Sequence, residues 1–230
     1  SKGIVNKFKR ESIGVVYNPE IGKDNALLLK EICNYDAIAI RSDTKLDSIV
    51  LNKAIKLKVI GRAGIGVDNI DLDSASSKGI VVMNTPFGNA ITTAEHTIAM
   101  IFAAARNIPA ANQSTQSGRW EKKKFIGIEL SRKKLGIVGV GNIGSIVASL
   151  AQSIGMEIIA YDPFLSDERA KNLKIYKTKD LNDLLSQSDV VTLHLPKNEN
   201  TYDIISSKNI YKMKKGSILV NCARGGLVEE

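Results

Sequence analysis

Short apolar runs alternate along the chain with segments whose apolar residues recur at every third or fourth position. Within the first 84 residues, "IGVVY", "DAIAIR", "LKVIG" and "GIVVMN" have the length and β-branched content of buried parallel strands. Between them, "KDNALLLKEIC" and "DSIVLNKAI" carry helical spacing, and "SKGIVNKF" reads as a helix with no strand before it. The pattern predicts one α/β lobe over 1–84, closed by the Pro/Gly punctuation "NTPFGNA" as a hinge. A long helix is predicted next, from about Thr93 to Asn107, with Thr92 and Glu95 in capping-box spacing. Its stretch "TIAMIFAAA" is apolar nearly all round, which predicts burial on more than one side, between lobes or between subunits. A second α/β unit, in a lobe spanning 85–230, has strands near 135–139, 157–161, 189–193 and 217–221, and a weak one at 174–176.

The second unit opens with "KLGIVGVGNIGSIVASLAQSIG", a β-branched run, three glycines and a helical pattern that Gly155 stops. "MEIIAYD" follows as the next strand. Strand, Gly-x-Gly-x-x-Gly turn, helix and strand within about thirty residues form the dinucleotide-binding unit. Gly139 permits the sharp turn, Gly141 lets a pyrophosphate approach the backbone, and Gly144 lets the helix sit close to the strand. The helix N-terminus, at Asn142 and Ile143, then faces the phosphates with its N–H groups. Asp162, 18 residues after Gly144, can accept hydrogen bonds from ribose hydroxyls and repels a 2′-phosphate, which favours NAD over NADP. The fold class expected is α/β, two Rossmann-like lobes with parallel sheets. A six-stranded doubly wound sheet needs more chain than this, and the closing "GGLVEE" reads as the start of a helix, so truncation at both ends is expected.

Composition narrows the setting. Hydrophobic residues make up 43% and no apolar run is long enough to span a membrane, so a membrane partner is not expected. Cys33 and Cys222 show neither metal nor redox spacing, which points to a reduced, cytoplasmic protein and to no metal. The net charge of +8 is spread along the chain without a recognition motif, so nucleic acid is not expected either. A nicotinamide cofactor implies hydride transfer, which needs a base for the substrate proton and, for a 2-hydroxy acid, a cation for its carboxylate. Arg224 in "NCARGG" follows a strand and supplies the cation. His194, at the end of "VVTLHLP", is the base that spacing nominates; His96, inside the apolar helix, reads as a packed or hydrogen-bonded residue.

"RAGIGVDNID", "NTPFGN", "AEHTIAM", "GRWEKKKFIG", "LGIVGVGNIG", "YDPF", "LHLP" and "NCARGG" resemble, in order, the D-isomer-specific 2-hydroxyacid dehydrogenases. The resemblance implies a substrate lobe built from both chain ends, with the nucleotide lobe inserted, and a homodimer in which the long helix and the loop around Trp120 cross to the partner. It implies NAD contacts from Ile65, Gly141, Asn142, Ile143, Asp162, Leu195, Pro196, Cys222 and Ala223. Asn142 stands where the family often has Arg, which leaves only its backbone N–H for a phosphate. Of the family's catalytic Arg, Glu and His, Arg224 matches the Arg. The Glu and His are expected beyond residue 230, so His194 is set aside as the base and these residues alone are expected to lack turnover. Within the family, "RAGIGVDNID" and "WEKKKFIG" are most similar to members acting on a phosphorylated three-carbon acid. Such a substrate needs several cations, for which Arg41, Arg62 and the neighbour's Lys122 are the candidates, with Ser42, Ala63, Gly64 and Asn89 completing the substrate set. Hydroxypyruvate or glyoxylate reduction, or a non-catalytic NAD-sensing corepressor role, are the alternatives.

Overall fold

A computed structural model of the protein describes residues 2–230; Ser1, the first residue of the expected opening helix, lies outside them. The chain divides after Gly88 into two compact units.

The first unit runs α1 (Lys2–Arg10), α2 (Asn25–Glu31), β1 (Ala37–Ile40), α3 (Ser48–Lys53), β2 (Val59–Arg62), α4 (Leu72–Ser77) and β3 (Val81–Asn84). Aspartates start three of its helices. Asp24 accepts from the N–H groups of Ala26 and Leu27, Asp47 from Val50 and Asp71 from Ser74. Each such cap contributes about 1 kcal/mol. The strands pair in parallel in the order β1-β2-β3, and Leu28, Ile32, Leu46, Val50, Leu51 and Ile60 form a closed core.

Two expectations fail here. "IGVVY" is not a strand: residues 13–17 belong to no ladder, and Ile13, Val16 and Tyr17 are exposed. β-Branched content favours a pleated surface only where a neighbouring strand supplies one. Nor is the sheet buried on both faces. Its register aligns Ala37 with Val59 and Val81, and Ala39 with Gly61 and Met83. These two rows share one face, where Ala37, Ala39, Val81 and Met83 are exposed, while Ile60 on the other face is fully enclosed.

The second unit runs α5 (Ala90–Ala105), α6 (Ile108–Gln116), a 3-10 turn at Lys122–Lys124, β4 (Lys134–Val138), α7 (Asn142–Ser153), β5 (Glu157–Tyr161), α8 (Asp167–Asn172), β6 (Tyr176–Lys177), α9 (Leu181–Gln187), β7 (Val190–Leu193) and β8 (Ile218–Asn221). All its strand pairs are parallel, in the order β6-β5-β4-β7-β8. The order reverses at β4, whose neighbours β5 and β7 lead away in opposite directions. That crevice, at the carboxyl ends of the strands, is where open α/β sheets bind ligands.

The long helix also departs from expectation. It starts at Ala90, so Thr92 and Glu95 lie inside it rather than capping it. Asn89 holds the N-cap position, and its carbonyl accepts from the Thr93 N–H. Ala90, Ala94, Thr97, Ile101 and Ala105 are buried, and the helix packs on α7 and β8. Ile91 and Met100 are exposed, so the chain covers one side of the helix and not two. His96 is exposed as well rather than packed. The closing residues form no helix: Leu227 is buried and Val228 bridges to Ile205.

Candidate functional site

β4 ends at Val138 and the chain turns at Gly139, whose φ of +95° favours glycine. A Cβ at Gly139 would stand 2.6 Å from the His194 carbonyl oxygen. A Cβ at Gly144 would collide with the Gly139 carbonyl, so α7 sits directly on the turn. Gly141 differs from both: it is exposed, and a Cβ there would meet no heavy atom within 4 Å. Open space therefore lies over the backbone at the α7 N-terminus. The Ser145 N–H donates to the Gly141 carbonyl at 3.1 Å and opens the helical ladder, so the N–H groups before it lie in the first turn, ahead of the ladder. The second and third glycines thus divide into one open to a ligand and one packed by the fold, which is the arrangement a dinucleotide pyrophosphate requires.

Asp162 follows β5 and reaches back to this turn. Its Oδ2 accepts the Val140 N–H at 2.7 Å, and its Oδ1 accepts the Phe164 N–H at 2.8 Å. The Gly139 N–H donates to the Tyr161 carbonyl at 3.0 Å beside it. Leu195 and Pro196 follow β7, and Cys222, Ala223 and Arg224 follow β8. Arg224 is half-buried; its Nη1 donates to the Ala223 carbonyl at 2.8 Å. Asn221 folds that loop by donating to the Arg224 carbonyl and accepting from the Ala223 N–H. The expected residues from Gly139 to Arg224 thus gather at one edge of the five-stranded sheet.

His194 follows β7, and its N–H donates to the Val138 carbonyl at 2.8 Å. Its Nε2 lies 3.1 Å from Thr192 Oγ1, while Nδ1 is buried with no hydrogen-bond partner among the described residues. Burial pushes the imidazole down to about 4. A base works best with a pKa near the operating pH, so this neutral, weakly basic ring is ill suited to take a substrate proton.

In the first unit, Arg41 and Ser42 follow β1, Arg62 ends β2 with Ala63, Gly64 and Ile65 behind it, and these carboxyl ends are paired in register. Arg41 is exposed. The Arg62 guanidinium lies against Gly64, with its Nε buried and without a hydrogen-bond partner among the described residues. Two asparagines that sequence reasoning passed over shape these loops. Asn69 Nδ2 donates to the carbonyls of Arg41 and Thr44, and Asn84 Nδ2 to that of Ile65. Asn89 and the exposed Lys122 belong to the second unit, ahead of α5 and in the 3-10 turn. The large groove of about 830 Å³, lined by Lys134, Gln152, Glu157 and Tyr176, lies at the amino ends of β4, β5 and β6, away from the crevice.

Residues 98–230, more than half of the chain, match the family model of the D-isomer specific 2-hydroxyacid dehydrogenase NAD binding domain. The chain belongs to this family. The match takes in the whole five-stranded sheet with its glycine turn, Asp162 and Arg224. The cofactor of such a domain is NAD, and the open backbone at Gly141 fits it. Among relatives, D-3-phosphoglycerate dehydrogenase of Archaeoglobus fulgidus is 48% identical over 217 residues, which are 94% of this chain and 41% of that protein. The enzyme of the same name from Bacillus subtilis is 45% identical over 87% of this chain and 38% of its own length. The chain thus spans about two-fifths of the length of these dehydrogenases. Among solved structures, a glyoxylate reductase from Paecilomyes thermophila matches with a TM-score of 0.89 at 30% identity, over 100% of this chain and 72% of that one. NAD-bound 3-phosphoglycerate dehydrogenase from Entamoeba histolytica matches with a TM-score of 0.80 at 32% identity, over 99% and 68%.

Proposed function

We propose that the protein is an NAD-dependent dehydrogenase that oxidises D-3-phosphoglycerate to 3-phosphohydroxypyruvate, the first step of serine synthesis. The observation that carries this reading is the similarity to relatives of that name, 48% identical over nearly the whole chain. The glycine turn and the α7 N-terminus would hold the pyrophosphate, Asp162 the adenosine ribose, and Leu195, Pro196, Cys222, Ala223 and Ile65 the remaining contacts. Bound NAD supplies the hydride acceptor. Arg224 would fork onto the substrate carboxylate and the neighbouring oxygen, orienting the carbon that is oxidised. The substrate proton needs a base, and the weakly basic His194 is ill suited to be it. Cytoplasmic residence accords with two unpaired cysteines.

The second anionic end of the substrate sets the test. A phosphate carries about −1.5 to −2 charge at neutral pH, and Arg224 cannot serve both ends. Arg41 and Arg62, at the carboxyl ends of the first sheet, and Lys122 are our candidates for it. Each charge-assisted contact contributes about 1.5–3 kcal/mol. Arg41→Ala and Lys122→Ala should therefore each raise the KM for the phosphorylated substrate by about tenfold or more. KM for hydroxypyruvate should hardly move. NADH absorbance with both substrates checks this, and equal losses on both would favour the generic reductase reading that the glyoxylate reductase likeness supports.

A homodimer is part of the same proposal. Ile91, Met100, Ile108, Trp120 and Ile126 of the second unit are exposed, Trp120 at 83%. Exposed apolar side chains in this number support a second copy as the cover.

A further inference from the structure

We propose that Asp162 is a positioning residue for the pyrophosphate as well as the reader of the ribose, so that one carboxylate couples the two halves of cofactor recognition. The proposal rests on the NAD reading of this site. Both oxygens of Asp162 already accept backbone N–H groups, Val140 at 2.7 Å and Phe164 at 2.8 Å. A carboxylate offers about four lone-pair sites, so two remain for ribose hydroxyls. The Val140 bond is the important one. Val140 lies between Gly139 and Gly141, the residue whose backbone is open to a ligand. Its side chain is buried, so the carboxylate and the core together hold the turn from opposite ends of one residue. Removing the carboxylate leaves the Val140 N–H without its acceptor, and a turn that loses this bond presents its N–H groups to a pyrophosphate less well ordered. A change at 162 made to admit a 2′-phosphate would therefore weaken the site for both cofactors.

The test separates the two roles with a probe that has no ribose hydroxyls. Asp162→Ala and the unmutated protein are titrated by calorimetry with NADH, ADP and 2′,3′-dideoxy-ADP, and amide exchange at Val140 is followed without ligand. If Asp162 positions the turn, the dideoxy probe binds the variant about fivefold or more weakly, Val140 exchanges faster, and NADPH gains no affinity. Equal dideoxy-ADP affinity in the two proteins overturns the proposal, because the carboxylate then acts through the hydroxyls alone. Should Asp162→Ala not fold, Asp162→Asn makes the same comparison, since one amide oxygen must serve two donors. Failure of the unmutated protein to bind NADH would instead remove the cofactor reading and this proposal with it.

Discussion

The buried imidazole of His194 should make the second unit sensitive to mild acid. In the unfolded chain a histidine titrates near 6.5; in the folded protein burial lowers His194 to about 4. The unfolded state therefore takes the proton first as pH falls. The contribution to stability is fully present above about pH 6.5 and is lost progressively on the way down to 4. The two values set the whole window at about 3 kcal/mol, of which about 2 kcal/mol is gone by pH 5. Carboxylates do not obscure this range. Asp71, held low by the Ser74 N–H, Glu121, held low by Lys124, and Glu229, held low by the Ser207 N–H, lose their contributions only further down. The perturbation is His194→Gln, which removes the titration and keeps a neutral side chain beside Thr192. Urea unfolding followed by circular dichroism at pH 7.5 and 5.0 should show the loss in the parent and little of it in the variant. The chain has two histidines, so proton NMR of the imidazoles gives a direct check. One signal, absent in His194→Gln, should stay unprotonated at pH 5. An equal pH loss in both proteins, or two imidazoles titrating near 6.5, would refute the reasoning.

The remaining predictions concern the glycines and the long helix. Gly141→Ala should leave the urea midpoint unchanged, because its Cβ meets nothing, yet weaken NADH binding in calorimetry by about tenfold, because that space is the ligand's. Gly144→Ala should do the reverse first, costing about 1–3 kcal/mol in urea unfolding through its collision with the Gly139 carbonyl; unchanged stability would mean that α7 has room to move. On the homodimer proposed above, Ile91→Asp with Met100→Asp should lower the sedimentation mass to that of one chain. A pair that stays associated would place the subunit contact elsewhere.

Much of the second unit was legible in the sequence. The strand at 157–161 is found with those bounds, and the weak one at 174–176 survives as the two-residue β6. Both sit in a sheet whose other strands, β4, β7 and β8, are short β-branched runs bounded by turns, the pattern that period and composition read well. Gly139 makes the sharp turn and Gly144 packs closely on it as their spacing implied, since Gly-x-Gly-x-x-Gly encodes a local turn. What failed was non-local. "IGVVY" has strand chemistry, but a strand is a pairing, and nothing within those residues says which neighbour supplies the ladder. "TIAMIFAAA" announces an apolar surface without saying what covers its far side. Asn89 took the cap position from Thr92 because a helix start depends on the turn before it as much as on box spacing. The low basicity of His194 arises from residues folded around it, which no window of sequence contains.

The glycine turn is tied to both neighbours of the central strand. Gly139 donates to Tyr161 at the end of β5, and Val138 accepts from His194 at the end of β7. In chain order β5 joins β4 after a single helix, whereas β7 follows only after β6 and two more helices. A sheet assembled as far as β5 and Asp162 therefore lacks the anchor that the end of β7 supplies. On the proposed NAD reading, dinucleotide binding would belong to the completed sheet, and the cofactor would favour finished molecules over partly assembled ones. At a free concentration one hundred times its Kd it would add about 2.7 kcal/mol to the completed state. Expression with the nicotinamide pool depleted should accordingly shift the balance toward degradation before any loss of catalysis is seen.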